Sequence, residues 1–162
     1  MTFLRHSRLL LCALLINPVL ADTPVAADGY SLQQKYAGSA DTDAFLNEPA
    51  IRASLEQLLG GQLQHFRENL DVRGEVDLRS GSLSLPGNAA HGESLEEAVL
   101  CVSTYDGSVS AAIFSKGVIT VYSKLPDYDS LSLCIKDWIT QVNSGHRDRF
   151  EAPANVRIAN FR

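Results

Sequence analysis

The sequence lacks the motifs that identify the common classes of enzyme. It has no Gly-x-Ser-x-Gly elbow for a nucleophilic serine, and the Gly60-Gly61 pair does not follow a predicted strand, as a phosphate-binding loop would. The three cysteines include no Cys-x-x-Cys pair, and no histidine lies at metal-ligand spacing from another histidine or a cysteine. We therefore expect no cofactor, no bound metal and no enzymatic activity.

An excess of basic residues is also missing. The 14 lysines and arginines are outnumbered by 19 aspartates and glutamates, which gives a net charge of −5. Arg5 and Arg8 lie in a predicted targeting segment, and without that segment the balance is 12 basic residues against 19 acidic ones. Proteins that bind nucleic acids or anionic membranes normally show a basic surface, so neither is an expected partner. An acidic surface does suit a basic partner.

The one long hydrophobic run lies at the N-terminus. Two arginines precede the apolar stretch 9–16, and the segment ends in small residues at Ala21, as signal peptides do. The apolar stretch is shorter than the ~20 residues of a membrane-spanning helix. We predict a signal peptide over residues 1–21, a mature chain that begins at Asp22, and a periplasmic or secreted protein without stable membrane insertion. The alternatives are an uncleaved anchor and a lipidated Cys12.

The rest of the chain divides into a short leader and one domain. Residues 22–40 are rich in small and polar residues, which predicts a loose N-terminal leader. Residues 41–162 have the length of a single α+β domain. A helical stripe opens this domain, and at Gly60-Gly61 either one helix ends and a second begins or the glycines allow close packing. The stripe consists of Ile51, Leu55, Leu58, Leu59, Leu63 and Phe66.

A change to a period of two marks the predicted strands. Apolar and charged residues alternate over 72–78, and a second short strand follows around Leu83. The centre of the sheet is the stretch 98–122, in which an Asp-Gly turn and a Lys-Gly turn separate three runs rich in β-branched residues. This pattern predicts a three-stranded antiparallel meander.

The C-terminal part adds a last helix, with Leu131, Ile135, Trp138 and Val142 at helical spacing. The tail from residue 146 to 162 is either an edge strand or unstructured. Together the elements predict an α+β fold: a twisted antiparallel sheet of about five strands, by ordinary sheet size, with helices packed on one face.

Cys101 and Cys134 are the two cysteines outside the predicted signal peptide. An even pair in an exported chain predicts a disulfide, which would join the first strand of the meander to the last helix. The alternative is two free thiols, one of them a nucleophile.

Other polar residues are also candidates for catalytic groups. His91 in a loop could act as a general base. Glu96 and Glu97, which are next to each other in the sequence, are interpreted as solvated loop residues.

The Asp-Gly turn of the meander is the most distinctive exposed feature. We call its residues, Tyr105, Asp106, Gly107 and Ser108, the tip. A tyrosine and a carboxylate on a turn held by two strands would make a good anchor for a protein partner. The alternative is a plain hairpin turn whose tyrosine lies on the sheet.

The order of the elements resembles that of the Ivy family, the inhibitors of vertebrate lysozyme and their periplasmic relatives. The resemblance covers residues 51–142 and includes the Leu-Leu-Gly helical segment, the strand with Cys101 and the late helix with Trp138. It implies an α+β fold, an envelope location and a Cys-x-Pro-His-x-Cys loop whose histidine enters the lysozyme active site. In the corresponding stretch, 101–107, Cys101 matches and Asp106 is a candidate match, but the proline, the histidine and the second cysteine are absent.

These observations together favour an exported, non-enzymatic binding protein. Its expected partner is another protein, such as a peptidoglycan hydrolase of the cell wall, which it would inhibit, or a secreted toxin, against which it would act as an immunity protein. The alternatives are a structural or housekeeping protein of the envelope and a small hydrolase.

Overall fold

The computed structural model describes residues 28–91, 95–146 and 151–159, and the predicted signal peptide lies outside these ranges. The helices in them are Gly29–Tyr36 (α1), Thr42–Leu46 (α2), Pro49–Leu59 (α3), Leu63–Glu68 (α4) and Leu133–Gly145 (α5). The strands are Val72–Arg73 (β1), Asp77–Arg79 (β2), Ser82–Asn88 (β3), Glu96–Ser103 (β4), Val109–Ser115 (β5), Val118–Tyr122 (β6) and Val156–Ala159 (β7). No helix in the described part of the chain is long and apolar enough to cross a membrane.

The strands form one mixed sheet, which corrects the predicted antiparallel sheet of about five strands. The order is β1-β3-β4-β5-β6-β7, and β2 also pairs with β3. The predicted meander is confirmed as β4, β5 and β6, which pair in antiparallel fashion. The difference comes from the C-terminal tail, because β7 follows α5 as a crossover and therefore pairs with β6 in parallel.

Helices cover both faces of the sheet, not one face as the sequence predicted. Along β4, Ala98, Leu100 and Val102 belong to the core beneath α1–α4. The alternate residues Val99 and Cys101 belong to a second core beneath α5. The sequences of β4 and β5 are nearly continuously apolar, so both faces of these strands must be buried. A layer of helices on one face could not bury both.

The described part of the predicted leader is a docked helix and not a loose segment. Leu32 and Tyr36 of α1 are buried in the core. The Tyr36 hydroxyl donates a hydrogen bond of 2.7 Å to the Glu48 carboxylate, and the Lys35 ammonium donates one of 2.8 Å to the same oxygen. The bond from Lys35, and to a smaller extent the bond from Tyr36, hold the pKa of Glu48 below its usual value. Two buried side chains and two hydrogen bonds to Glu48 therefore attach α1 to the domain.

The predicted disulfide is present between Cys101 on β4 and Cys134 on α5, with the two Cα atoms 6.2 Å apart. The predicted helical stripe is also confirmed. Ile51, Leu55 and Phe66 on α3 and α4 are fully buried or nearly so. Of the two interpretations of the glycine pair, the first holds: α3 ends at Leu59, and a short 3₁₀ turn over Gly60–Gln62 leads into α4.

Candidate functional site

The tip lies in the loop 104–108 between β4 and β5. The loop is longer than the tight Asp-Gly turn that the sequence predicted, although Gly107 does adopt a positive φ of 69°. The last residue pair of the ladder between β4 and β5 is Val102–Val109, so the residues between these two positions form the connection. The tip consequently projects beyond the end of the sheet.

Ser103, at the end of β4, organises the loop through both its backbone and its side chain. Its hydroxyl oxygen accepts the backbone N–H groups of Tyr105 and Asp106, at 3.3 and 3.4 Å. Its carbonyl accepts the N–H of Gly107 at 3.0 Å, and its own N–H donates to the Ser108 carbonyl at 2.9 Å. A loop ordered in this way before binding loses little conformational entropy when a partner binds.

A second hairpin supports the loop from one side. The carbonyl of Gly81, in the turn between β2 and β3, accepts hydrogen bonds from the N–H of Thr104 at 3.0 Å and from its hydroxyl at 2.9 Å. Ser80, in the same turn, donates to Asp137 on α5 at 2.7 Å. The loop is thereby connected through this turn to α5.

Helix α1 supports the loop from another side. Gly29 packs so closely that a Cβ atom there would lie 2.7 Å from the carbonyl carbon of Thr104 and in contact with the Ser103 oxygen. These neighbours are backbone atoms, so only glycine fits without a shift of the loop. Sequence reasoning missed Gly29 and Gly81 as supports of the tip, because their contacts join segments far apart in the chain. It also missed Ser103, whose contacts are with the residues that follow it.

Tyr105 and Asp106 of the tip are both exposed to solvent. Tyr105 is 95% exposed, so its ring does not lie on the sheet. The Asp106 carboxylate accepts the N–H of Ser108 at 3.0 Å. This bond and further ones from the Ser103 and Ser108 side chains hold the pKa of Asp106 below its usual value, so the tip carries a negative charge at neutral pH.

An open groove of about 430 Å³ separates the tip from α3. On one side it is lined by residues of α3, and its lining also includes both Asp106 and Lys124. The tip is therefore accessible on its inner side as well as its outer side. The lining residues are Ala50, Ala53, Ser54, Gln57, Leu58, Asp106, Gly107, Ser108, Val109, Ser110, Ser123, Lys124 and Leu125.

Two histidine–glutamate pairs lie at the end of β4 that is away from the tip, and each glutamate is in contact with side chains of other elements. Glu96 accepts hydrogen bonds from Ser115 and Asn69 and lies 3.0 Å from His65; Glu97 lies 3.4 Å from His146. The prediction that Glu96 and Glu97 are solvated loop residues is therefore wrong. They begin β4, and successive strand residues face opposite sides of a sheet.

The environments of these two carboxylates affect their pKa values in opposite directions. Burial raises the pKa of Glu96, but the hydrogen bonds from Ser115, His65 and Asn69 outweigh it and leave the pKa below its usual value. Burial raises the pKa of Glu97, and the bond from His146 offsets only part of that effect. His91 lies on an exposed turn. Across the residues that the structure describes, no three His, Cys, Asp or Glu side chains are grouped to hold a metal ion.

Residues 50–144 match the model of a protein family described as inhibitor of vertebrate lysozyme (Ivy). The matched region is more than half of the 162 residues and includes the tip, both cysteines of the disulfide and nearly all of α3 and α5. No curated protein and no solved structure gives a significant match to the chain.

Proposed function

This chain belongs to the Ivy family, and from that membership we propose that it is an exported, non-enzymatic inhibitor that binds and masks a lysozyme-class cell-wall hydrolase. The family match is the observation that carries the proposal. An inhibitor of this kind needs no catalytic group and no cofactor, since it acts by covering the active site of another protein. Complementary shape and charge at the contact are sufficient.

We propose that the tip is the element that enters the partner's active-site cleft. The loop that the family resemblance implies contains two cysteines, whereas here Cys101 is bonded to Cys134 on α5. Hydrogen bonds that the Ser103 hydroxyl and the Gly81 carbonyl accept from loop residues hold the loop instead. Tyr105 supplies a large contact area at low entropy cost, and Asp106 supplies a charge for a basic or hydrogen-bonding group in the cleft.

Binding to a vertebrate lysozyme tests the proposed function directly. The mature protein, from Asp22 onward, should inhibit cell-wall hydrolysis by the lysozyme at a ratio close to one inhibitor per enzyme, and calorimetry should give a Kd of about 1 μM or tighter. An unrelated acidic protein of similar net charge serves as the control for non-specific attraction. Full hydrolysis in the presence of excess inhibitor, with no heat of binding, would refute lysozyme as the target. A bacterial peptidoglycan hydrolase is assayed in parallel. Inhibition of that enzyme alone would identify a different hydrolase as the target, and inhibition of neither enzyme would leave a secreted toxin as the candidate partner.

We further propose export, on the basis of the N-terminal targeting pattern and of a disulfide that an oxidising compartment would preserve. Protein isolated from the periplasm of an expressing bacterium should have an intact mass that begins at Asp22. A full-length chain recovered from the cytoplasm with reduced cysteines would contradict this proposal.

A further inference from the structure

The exposed large hydrophobic side chains are concentrated at one end of the molecule. Within the described residues these side chains are Tyr30, Val72, Leu78, Tyr105, Leu125 and Leu133. Val72 pairs with Asn88, which in turn pairs with Glu97, so it lies at the end of the sheet away from the tip. The other five lie on elements at the end of the sheet that carries the tip, with α1 and α5 on opposite faces.

Three of these side chains, Leu78, Leu125 and Leu133, are placed at the tip end of the sheet by contacts of residues next to them. Leu78 is on β2, whose connecting turn to β3 is hydrogen-bonded to Thr104. Leu125 lines the groove beside the tip. Leu133 begins α5 and precedes Cys134, which is bonded to Cys101 close to the end of β4. Of these side chains, Tyr30 and Tyr105 lie on segments in direct contact, and exposed apolar groups that are close together among polar residues are typical of a protein-binding surface.

Helix α1 brings an exposed tyrosine to this surface. Tyr30 follows Gly29, Tyr105 follows Thr104, and Gly29 packs against the Thr104 backbone at a distance that only glycine permits. The two tyrosines are therefore fixed on neighbouring segments. Tyr30 is 60% exposed, and its hydroxyl accepts a hydrogen bond from Gln34, which leaves the ring open to solvent.

Carboxylates flank both tyrosines. Asp28 caps α1 by accepting the N–H of Tyr30 at 3.1 Å, and Asp106 accepts the N–H of Ser108 at 3.0 Å. Both side chains are thereby held in place beside an exposed aromatic ring. A surface of this composition suits a partner that offers apolar pockets among basic groups, and it would repel an anionic lipid surface.

We propose that α1 forms a second part of the partner-binding surface, with the Tyr30 ring as an aromatic anchor beside Tyr105, and that the partner is a basic protein. This inference rests on the proposed function, because the same partner is taken to bind the tip. It extends the binding surface to a helix outside residues 50–144, the region that matches the family.

The test compares three variants for binding to a vertebrate lysozyme. Y30A should weaken binding by roughly fivefold to tenfold, as loss of an interface aromatic does, with an unchanged melting temperature because alanine favours a helix. Y30F keeps the ring and should bind like the unmodified protein. V72A removes an exposed hydrophobic side chain at the other end of the sheet and should also leave affinity unchanged.

The outcomes separate failure of this inference from failure of the proposed function. If the unmodified protein binds and Y30A binds equally well, α1 is outside the interface and the inference is overturned while the proposed function stands. If Y30F loses as much affinity as Y30A, the ring is not the anchor and the inference also fails. If the unmodified protein binds only the bacterial peptidoglycan hydrolase, the same three variants are compared on that enzyme with the same expected results. If it binds neither enzyme, both proposals fail together.

Discussion

Replacement of both Cys101 and Cys134 by alanine should lower the free energy of unfolding by roughly 3 kcal/mol. The disulfide closes a loop of 33 residues, and in the chain-entropy model a crosslink over such a loop destabilises the unfolded state by about that amount. The bond also fixes α5 to the central strand of the sheet, since both sulfurs lie in the core beneath α5. Urea unfolding of the mature protein and of the double variant measures the difference.

Changing both cysteines together avoids a free thiol that could form dimers. The unmodified protein unfolded in the presence of a reductant is the matched control, and its unfolding midpoint should shift by a similar amount. If the double variant and the oxidised protein unfold at the same urea concentration, the bond does not stabilise the domain. The covalent connection between β4 and α5 would then contribute nothing to the stability of the fold.

The parts of the fold that depend on residues close to one another in the sequence could be predicted. The meander follows from two glycine-containing turns between β-branched runs, and α3 and α5 follow from the spacing of their apolar residues. The parallel pairing of β7 could not be predicted, because it depends on how the chain returns after α5. The docking of α1 could not be predicted either, since Leu32 and Tyr36 find their partners only in the folded core.

The candidate site divides in the same way. The tip could be identified because glycine and aspartate mark a turn, and an isolated pair of cysteines marks a disulfide. The segments that hold the tip, at Gly29 and Gly81, carry no sequence pattern that links them to residue 104. Burial of β4 and β5 on both faces was visible in their continuous apolar runs, and the prediction of helices on one face overlooked it.

Truncation of Tyr105 to alanine should remove most of the binding affinity without affecting the fold. The side chain is 95% exposed in the free protein, so its removal should leave the melting temperature unchanged. An aromatic anchor at the centre of an interface contributes roughly 2 kcal/mol or more, which corresponds to about a 30-fold rise in Kd. The Ser103 hydroxyl accepts hydrogen bonds from the backbone N–H groups of Tyr105 and Asp106 and not from the tyrosine ring, so the loop should keep its conformation.

The ratio of Kd values for Y105A and the unmodified protein, measured by calorimetry against a vertebrate lysozyme, tests the central claim most directly. The V72A variant, which also truncates an exposed side chain, provides the matched control and should bind like the unmodified protein. The expected result is a Kd raised about 30-fold or more for Y105A alone, with equal melting temperatures for all three proteins. A Y105A variant with unchanged affinity and a lowered melting temperature would show that the tyrosine serves the fold, and that the tip is not the binding element.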